Sequence, residues 1–151
     1  LDEPTAGVDP QARRDFWNQI HELAASGITI LVSTHYMDEA ERCHRLAYLA
    51  YGQLLTQGTP QAIIEQSGLT TWSVQGPDLS PLAVKLTQTM DFAQVVAFGT
   101  NLHISSKEAA TLAEKIAAYQ IPPYQWQQIT PNLEDVFIQL MREAKDVRFH
   151  Q

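Results

Sequence analysis

The run ITILVST, residues 28 to 34, is the segment that most restricts what this chain can fold into. It is short, rich in β-branched residues, and shows no alternation of polar and apolar positions. Such a pattern is typical of a strand that is buried on both faces, as in a parallel sheet. We therefore expect the surrounding residues to belong to a parallel α/β domain.

Helices are expected on both sides of this strand. Asp9-Pro10 is a strong helix start, because Asp is a good N-cap and Pro is favoured at the first helical position. Apolar residues then recur at helical spacing, at Phe16, Ile20, Leu23 and Ala24. Gly27 is the expected stop, and a second helix is expected from about Asp38 to Cys43. Two short strands around Gly52 and a helix over residues 61–66 complete this region.

The pattern changes after Gly68. The remaining residues predict a strand, a helix, a hairpin that turns near Gly99, a second helix, a last strand and a terminal amphipathic helix. This order fits a small α+β domain of the ferredoxin-like βαββαβ type with a closing helix. We therefore expect two domains, residues 1–68 and residues 69–151.

Composition excludes several classes of protein. The 151 residues carry a formal net charge of -7, which argues against nucleic-acid binding through phosphate neutralisation. The single cysteine, Cys43, rules out an intrachain disulfide. No apolar run approaches the roughly 20 residues that span a bilayer, so any membrane role is expected to come through a partner.

The chemistry-bearing residues lie near the N-terminal end of the chain. Asp2 and Glu3 precede a Pro, and His35 directly follows the predicted buried strand. A parallel sheet would bring these side chains to one edge, where ligands of open α/β sheets bind. An Asp there can hold Mg²⁺, and a neighbouring Glu can deprotonate a water. Taken singly, each residue also has a plain structural interpretation, as a turn cap or a packed histidine.

Two other polar features are interpreted as ordinary structure. The acidic run DEAE, residues 38–41, is typical of a solvated helix face. His103 alternates with apolar neighbours along its predicted strand. We therefore expect His103 on the outer face of that strand.

The motifs together resemble the C-terminal half of the ATP-binding subunit of a bacterial ABC transporter of the drug-exporter type. LDEPT resembles the end of the Walker B motif, AGVD resembles the D-loop, and STH resembles the switch-histidine loop. GQLLTQGTP is similar to the usual end of that domain, and PNLEDVF is similar to a C-terminal extension of exporter-type ATPases. The resemblance covers nearly the whole chain.

The resemblance implies a fold, roles and partners. Residues 1–68 would be the C-terminal part of a P-loop ATPase domain. Asp2 would bind Mg²⁺ through water, Glu3 would be the general base, His35 would contact the γ-phosphate of ATP, and Asp9 would communicate across a dimer interface. The implied partners are a second ATP-binding subunit and transmembrane permease subunits, with the protein at the cytoplasmic face of the cell membrane and no nucleic acid bound.

Some parts of the family pattern are not in the sequence. It contains no G-x-x-x-x-G-K-[ST] phosphate loop, no LSGGQ signature and no glutamine loop, and His44 stands where the family usually has an acidic residue. These absences favour interpreting the chain as a fragment. We therefore expect negligible ATPase activity from this chain alone.

Two alternative functions remain open at this point. The chain could be a truncated, non-catalytic product whose C-terminal domain serves subunit association or regulation. It could also be an ABC-type protein that acts on ribosomes or DNA, although its acidic charge and its exporter-like extension weigh against that.

Overall fold

The candidate residues Asp2, Glu3 and Asp9 precede the first helix of the chain, and His35 precedes the second. The structure, a computed structural model, describes residues 1–149. Two compact units are present, one over residues 1–42 and the other from Cys43 onward. Residues 150 and 151 of the predicted second domain lie outside the described part.

The first unit consists of two helices and the segments that precede them. Helix α1 spans Pro10–Ala25 and helix α2 spans Met37–Ala40. The predicted start of α1 is confirmed, since the Asp9 side chain accepts hydrogen bonds from the backbone N–H groups of Gln11 and Ala12, each at 3.1 Å. The predicted stop is confirmed as well: the helix ends in a Schellman motif at Gly27, whose φ of 98° suits a glycine.

The prediction of a fully buried strand over residues 28–34 is wrong. Only Ser33 pairs, through a single parallel bridge to Asp2, and Leu31 is 87% exposed. Within the described residues, the segment 28–34 forms strand-like backbone pairing only with residues 1–3. One short partner on one side cannot supply the double-sided cover that the apolar sequence pattern indicates.

The second unit begins with a hairpin and a helix. Strands β1, Leu46–Ala50, and β2, Gln53–Gly58, pair antiparallel around Tyr51 and Gly52, and helix α3 spans Pro60–Gln66. Both turn residues have positive φ, which is characteristic of a type I′ hairpin turn. The two short strands predicted around Gly52 are therefore confirmed.

A four-stranded antiparallel sheet follows. Its elements are β3 Thr70–Gln75, α4 Ser80–Thr89, β4 Gln94–Phe98, β5 Asn101–Ser106, α5 Ala109–Ala117 and β6 Gln125–Ile129. The strands lie in the order β4-β5-β3-β6, and all three neighbouring pairs are antiparallel. The predicted succession of strands and helices is thus confirmed.

Helices α4 and α5 pack on one face of this sheet and form the apolar core together with side chains of its strands. The fully buried core side chains include Val74, Leu86, Ile104, Leu112 and Ile116. The terminal helix α6, Leu133–Phe149, begins against the opposite face. His103 lies on that second face but is buried, so its expected place on an outer face is wrong: the start of α6 covers it.

The compact units divide at residue 42, whereas the predicted domain boundary lies near residue 68. Residues 43–68 group with the second unit because β1 and α3 pack against α6, as in the stacked rings of Tyr48 and Phe137 at 4.0 Å. A boundary at residue 68 between two family domains stays a prediction.

No helix within residues 1–149 is long and apolar enough to cross a membrane.

Candidate functional site

The Asp2–Glu3 turn and the loop before α2 are joined by backbone hydrogen bonds. Ser33 N–H donates to the Leu1 carbonyl at 2.8 Å, and Glu3 N–H donates to the Ser33 carbonyl at 2.9 Å. These bonds align the two segments in parallel, as expected for the ends of neighbouring parallel strands. The two segments therefore present their next side chains, Glu3 and His35, at the same edge.

Glu3 and His35 are in direct contact. The distance from His35 Nδ1 to Glu3 Oε2 is 2.7 Å, and the two side chains are 67% and 37% exposed, respectively. Since an ionised carboxylate only accepts, Nδ1 must carry the proton in this contact. The pair combines an accessible base with an imidazole that orients it, which is an arrangement suited to activating a water molecule.

Glu3 also has an unusual backbone conformation. Its φ is 46°, in the left-handed region that non-glycine residues rarely occupy. Such residues often lie at functional sites, where surrounding hydrogen bonds hold them. Here the backbone N–H of Glu3 bonds to Ser33 and its carbonyl accepts from Ala6 N–H at 3.1 Å.

Asp2 lies beside this pair and contacts Ser33, whose Oγ donates to Asp2 Oδ1 at 2.6 Å. Residues 1–149 contain no group of three or more His, Cys, Asp or Glu side chains that would hold a metal alone. A single exposed carboxylate fits Mg²⁺, which protein sites often bind through one or two carboxylates, waters and substrate phosphates. The expected role of Asp2 in Mg²⁺ binding stays a prediction.

Asp9 does not join the Glu3–His35 contact. Its carboxylate oxygen Oδ1 caps α1 through the two backbone bonds described above. This capping accounts for an Asp at this position. Its expected role across a dimer interface stays a prediction.

The sequence interpretation missed a buried carboxylate close to this site. Glu39 was expected on a solvated face, but its side chain is 2% exposed, so that prediction is wrong for this residue. Arg13 Nε and Nη2 each donate to Glu39 Oε1 at 3.0 Å, Thr5 donates to the same oxygen at 2.5 Å, and Thr34 donates to Oε2 at 2.7 Å.

The pKa of Glu39 reflects these contacts. Burial opposes ionisation, but hydrogen bonds from Thr5, Thr34 and Arg13 outweigh it and lower the pKa of Glu39 below its ordinary value. The hydrogen bond to Glu39 in turn raises the pKa of the Arg13 guanidinium. Glu39 is therefore ionised in the folded protein at neutral pH.

One feature of helix α1 could have indicated that Glu39 is buried. Arg13 and Trp17 lie four residues apart on α1, and Trp17 is buried. An arginine on the same face as a buried tryptophan needs an acidic partner. Of the predicted apolar stripe, Phe16, Ile20 and Ala24 are half-buried, whereas Leu23 is 45% exposed.

The lowered pKa of Glu39 predicts acid sensitivity. A carboxylate with a lower pKa in the folded state than its ordinary 4.5 stabilises the protein above that value. This stabilisation is lost as the pH falls below 4.5 and through the folded pKa. We expect Glu39→Gln to lower Tm near neutral pH and to show a smaller drop in Tm between about pH 6 and about pH 3.

Thermal unfolding followed by circular dichroism across this pH range would measure the effect. Glu41→Gln is the matched control, since Glu41 lies two residues away and is exposed. The control should keep the acid sensitivity of the parent protein. Equal pH dependence for Glu39→Gln and the parent would contradict the prediction.

Comparison with known proteins finds relatives over nearly the whole chain. The Nod factor export ATP-binding protein I of Ralstonia nicotianae is 37% identical over 153 aligned residues, which cover 97% of this chain and 47% of that protein. The same-named protein of Burkholderia orbicola is 36% identical over 97% of this chain and 48% of its own length.

A relative with a different name gives a similar result. The probable multidrug ABC transporter ATP-binding protein YbhF of Escherichia coli K12 is 36% identical over 149 residues, which cover 95% of this chain and 25% of that protein. No protein-family model matches the chain. The chain spans about half the length of the two Nod factor export relatives and a quarter of YbhF. At these identities over almost all of its length, the chain is homologous to part of the ATP-binding proteins of ABC transporters.

Proposed function

We propose that this chain supplies the water-activating part of the ATPase site in an ABC exporter's ATP-binding subunit. The observation that carries the proposal is the 2.7 Å contact between His35 Nδ1 and Glu3 Oε2, beside the exposed carboxylate of Asp2. The names of the relatives, which refer to ATP binding and export, support the same reaction class.

In the proposed reaction, Glu3 is the general base. His35 occupies Oε2 and leaves Oε1 to accept a proton from the attacking water. His35 Nε2 is then the nitrogen directed at the γ-phosphate of ATP.

Asp2 is proposed to hold Mg²⁺ through a water molecule. When bound, Mg²⁺ would neutralise charge on the phosphate oxygens. The bond from Ser33 Oγ fixes the orientation of the Asp2 carboxylate. Asp9 is proposed to communicate across the interface with a second ATP-binding subunit while its side chain caps α1.

The proposed assembly follows from the family. The chain would work with a second ATP-binding subunit and transmembrane permease subunits, at the cytoplasmic face of the membrane and without nucleic acid. Residues 1–68 would belong to a P-loop ATPase domain and residues 69–151 to a ferredoxin-like accessory domain. The antiparallel strand order β4-β5-β3-β6, with helices between β3 and β4 and between β5 and β6, supports the second assignment.

A chimera tests the proposed function. This chain would replace the matching segment of the Ralstonia nicotianae relative, so that the rest of that ATP-binding protein accompanies it. We expect the chimera to hydrolyse ATP and to lose activity when EDTA removes Mg²⁺. Asp2→Asn should need a higher Mg²⁺ concentration for half-maximal rate, because it removes a charged contact.

The control for the metal role is Asp146→Asn, which changes an exposed aspartate in α6. Its Mg²⁺ requirement should equal that of the parent chimera. An Asp2→Asn chimera with an unchanged Mg²⁺ requirement would contradict the role given to Asp2. A folded chimera without ATPase activity would contradict the proposed function.

A further inference from the structure

The carboxylate of Glu39 connects three separate parts of the first unit. Its Oε1 accepts from Thr5, in the turn that carries Glu3, and from Arg13 on α1. Its Oε2 accepts from Thr34, which directly precedes His35. One side chain is thus hydrogen-bonded to both segments that form the candidate site.

The His35 side of this network is well defined. Thr34 Oγ1 donates to Glu39 and also accepts from Tyr36 N–H at 3.1 Å. The residues on either side of His35 are therefore tied to one another and, through Thr34, to Glu39. The backbone at His35 cannot shift without breaking one of these bonds.

The Glu3 side is held in the same way. Thr5 is 2% exposed, and its hydroxyl bond to Glu39 measures 2.5 Å. Thr5 lies two residues after Glu3, within the turn in which the Glu3 carbonyl accepts from Ala6. Loss of the Glu39 carboxylate would leave a buried hydroxyl without its acceptor, and the turn would have to adjust.

A second route connects Glu39 to the imidazole ring itself. The Arg13 guanidinium, held by Glu39, lies 4.3 Å from the centre of the Tyr36 ring. That ring in turn lies against the His35 ring, with 4.2 Å between their centres. Glu39 therefore orients Arg13, and Arg13 and Tyr36 limit the orientations of His35.

We propose that Glu39 is a positioning residue that keeps Glu3 and His35 within hydrogen-bonding distance. It does so through Thr5 on one side and through Thr34 and Arg13 on the other. The value of this positioning for catalysis rests on the proposed function. The positioning itself does not, because it concerns only the contact between two side chains of this chain.

The tautomer of His35 reports this contact directly. In the Glu3 contact, Nδ1 carries the proton, whereas a free imidazole favours protonation at Nε2. Imidazole ¹⁵N NMR of the 151-residue protein at about pH 8.5, where an ordinary histidine is neutral, distinguishes the two forms. His35→Gln identifies the signal. We expect the Nδ1–H form in the parent and its loss in Glu39→Gln.

Matched variants separate positioning from general loss of structure. Glu41→Gln and Thr34→Ser, which keeps the hydroxyl, should retain the Nδ1–H form. Thr34→Val, which keeps the shape but removes the donor, should reduce it. Circular dichroism at the same temperature establishes that each variant is folded. Folded Glu39→Gln and Thr34→Val variants that retain the parental His35 tautomer would overturn the proposal.

This test is independent of ATP hydrolysis. If the chimera fails to hydrolyse ATP while Glu39→Gln still changes the His35 tautomer, the proposed function fails and the positioning role stands. If the chimera is active and Glu39→Gln leaves both the tautomer and kcat unchanged, the positioning role fails alone. If positioning matters for catalysis, Glu39→Gln lowers kcat and leaves KM close to the parental value.

Discussion

Replacing Glu3 with Gln in the chimera is expected to lower kcat for ATP hydrolysis by about 10²- to 10⁴-fold, the usual contribution of a general base. Gln keeps the shape of the side chain and can still accept from His35, so the 2.7 Å contact has a replacement. It cannot take a proton from water, however. Because the loss arises in the transition state, KM for ATP should remain within a small factor of the parental value.

Steady-state kinetics at saturating Mg²⁺ would measure this effect, with Glu41→Gln as the exposed control. His35→Ala should also lower kcat, since it removes the group that orients the Glu3 carboxylate. The double variant should lose far less than the product of the two single losses, because residues that act as a unit are not additive. A Glu3→Gln chimera with parental kcat would exclude Glu3 as the base.

The proximity of Glu3 and His35 was predictable, because it depends on two short segments that run parallel and end at the same edge. Residues 1–3 and 31–33 do run parallel, through the bonds around Ser33. The exposure of the ITILVST segment was not predictable from its composition. An apolar pattern indicates which residues can be covered, whereas their exposure depends on which other segments lie against them.

The ends of α1 were likewise predictable, because caps are local interactions. Asp9 and Gly27 act within a few residues of themselves. The buried face of the same helix was not predictable from apolar spacing alone. The helix buries Trp17 and places Arg13 at Glu39, a charged contact between residues that are distant in sequence.

Glu39 and His103 were both expected in solvent and are both buried. In each case the partner is remote in sequence: Arg13 lies 26 residues from Glu39, and Asp135 lies 32 residues from His103. Periodicity describes one element at a time and contains no information on such pairs. The one sign of such a pair in the sequence is a polar residue at a position where the surrounding apolar pattern predicts burial.

Replacing Asp135 with Ala is expected to destabilise the protein by about 3 kcal/mol, because it removes the buried carboxylate that His103 and Asn132 both contact and leaves their N–H groups unsatisfied. The Asp135 side chain is 0% exposed, and His103 Nδ1 lies 3.1 Å from its Oδ2. The same oxygen accepts from Asn132 N–H at 3.1 Å, while Asn132 Oδ1 accepts from Asp135 N–H at 2.8 Å. This reciprocal pair is a capping box at the start of α6.

A cost of about 3 kcal/mol corresponds to a decrease in Tm on the order of 10–20 °C for a unit of this size. Glu134→Ala is a matched control, since Glu134 is the adjacent acidic residue in the first turn of α6 and is exposed. Its Tm should stay within a few degrees of the parent.

A double-mutant cycle then separates the His103 contact from the capping box. His103→Ala and Asp135→Ala, singly and together, should give a coupling energy of about 1–3 kcal/mol, as contacting buried residues do. The remainder of the Asp135→Ala loss, about 1 kcal/mol, should belong to the cap, in which the Asp135 carboxylate accepts from Asn132 N–H. A coupling energy near zero would mean that α6 is held on the sheet by its apolar residues Val136 and Phe137, with the buried His103–Asp135 pair contributing nothing to stability.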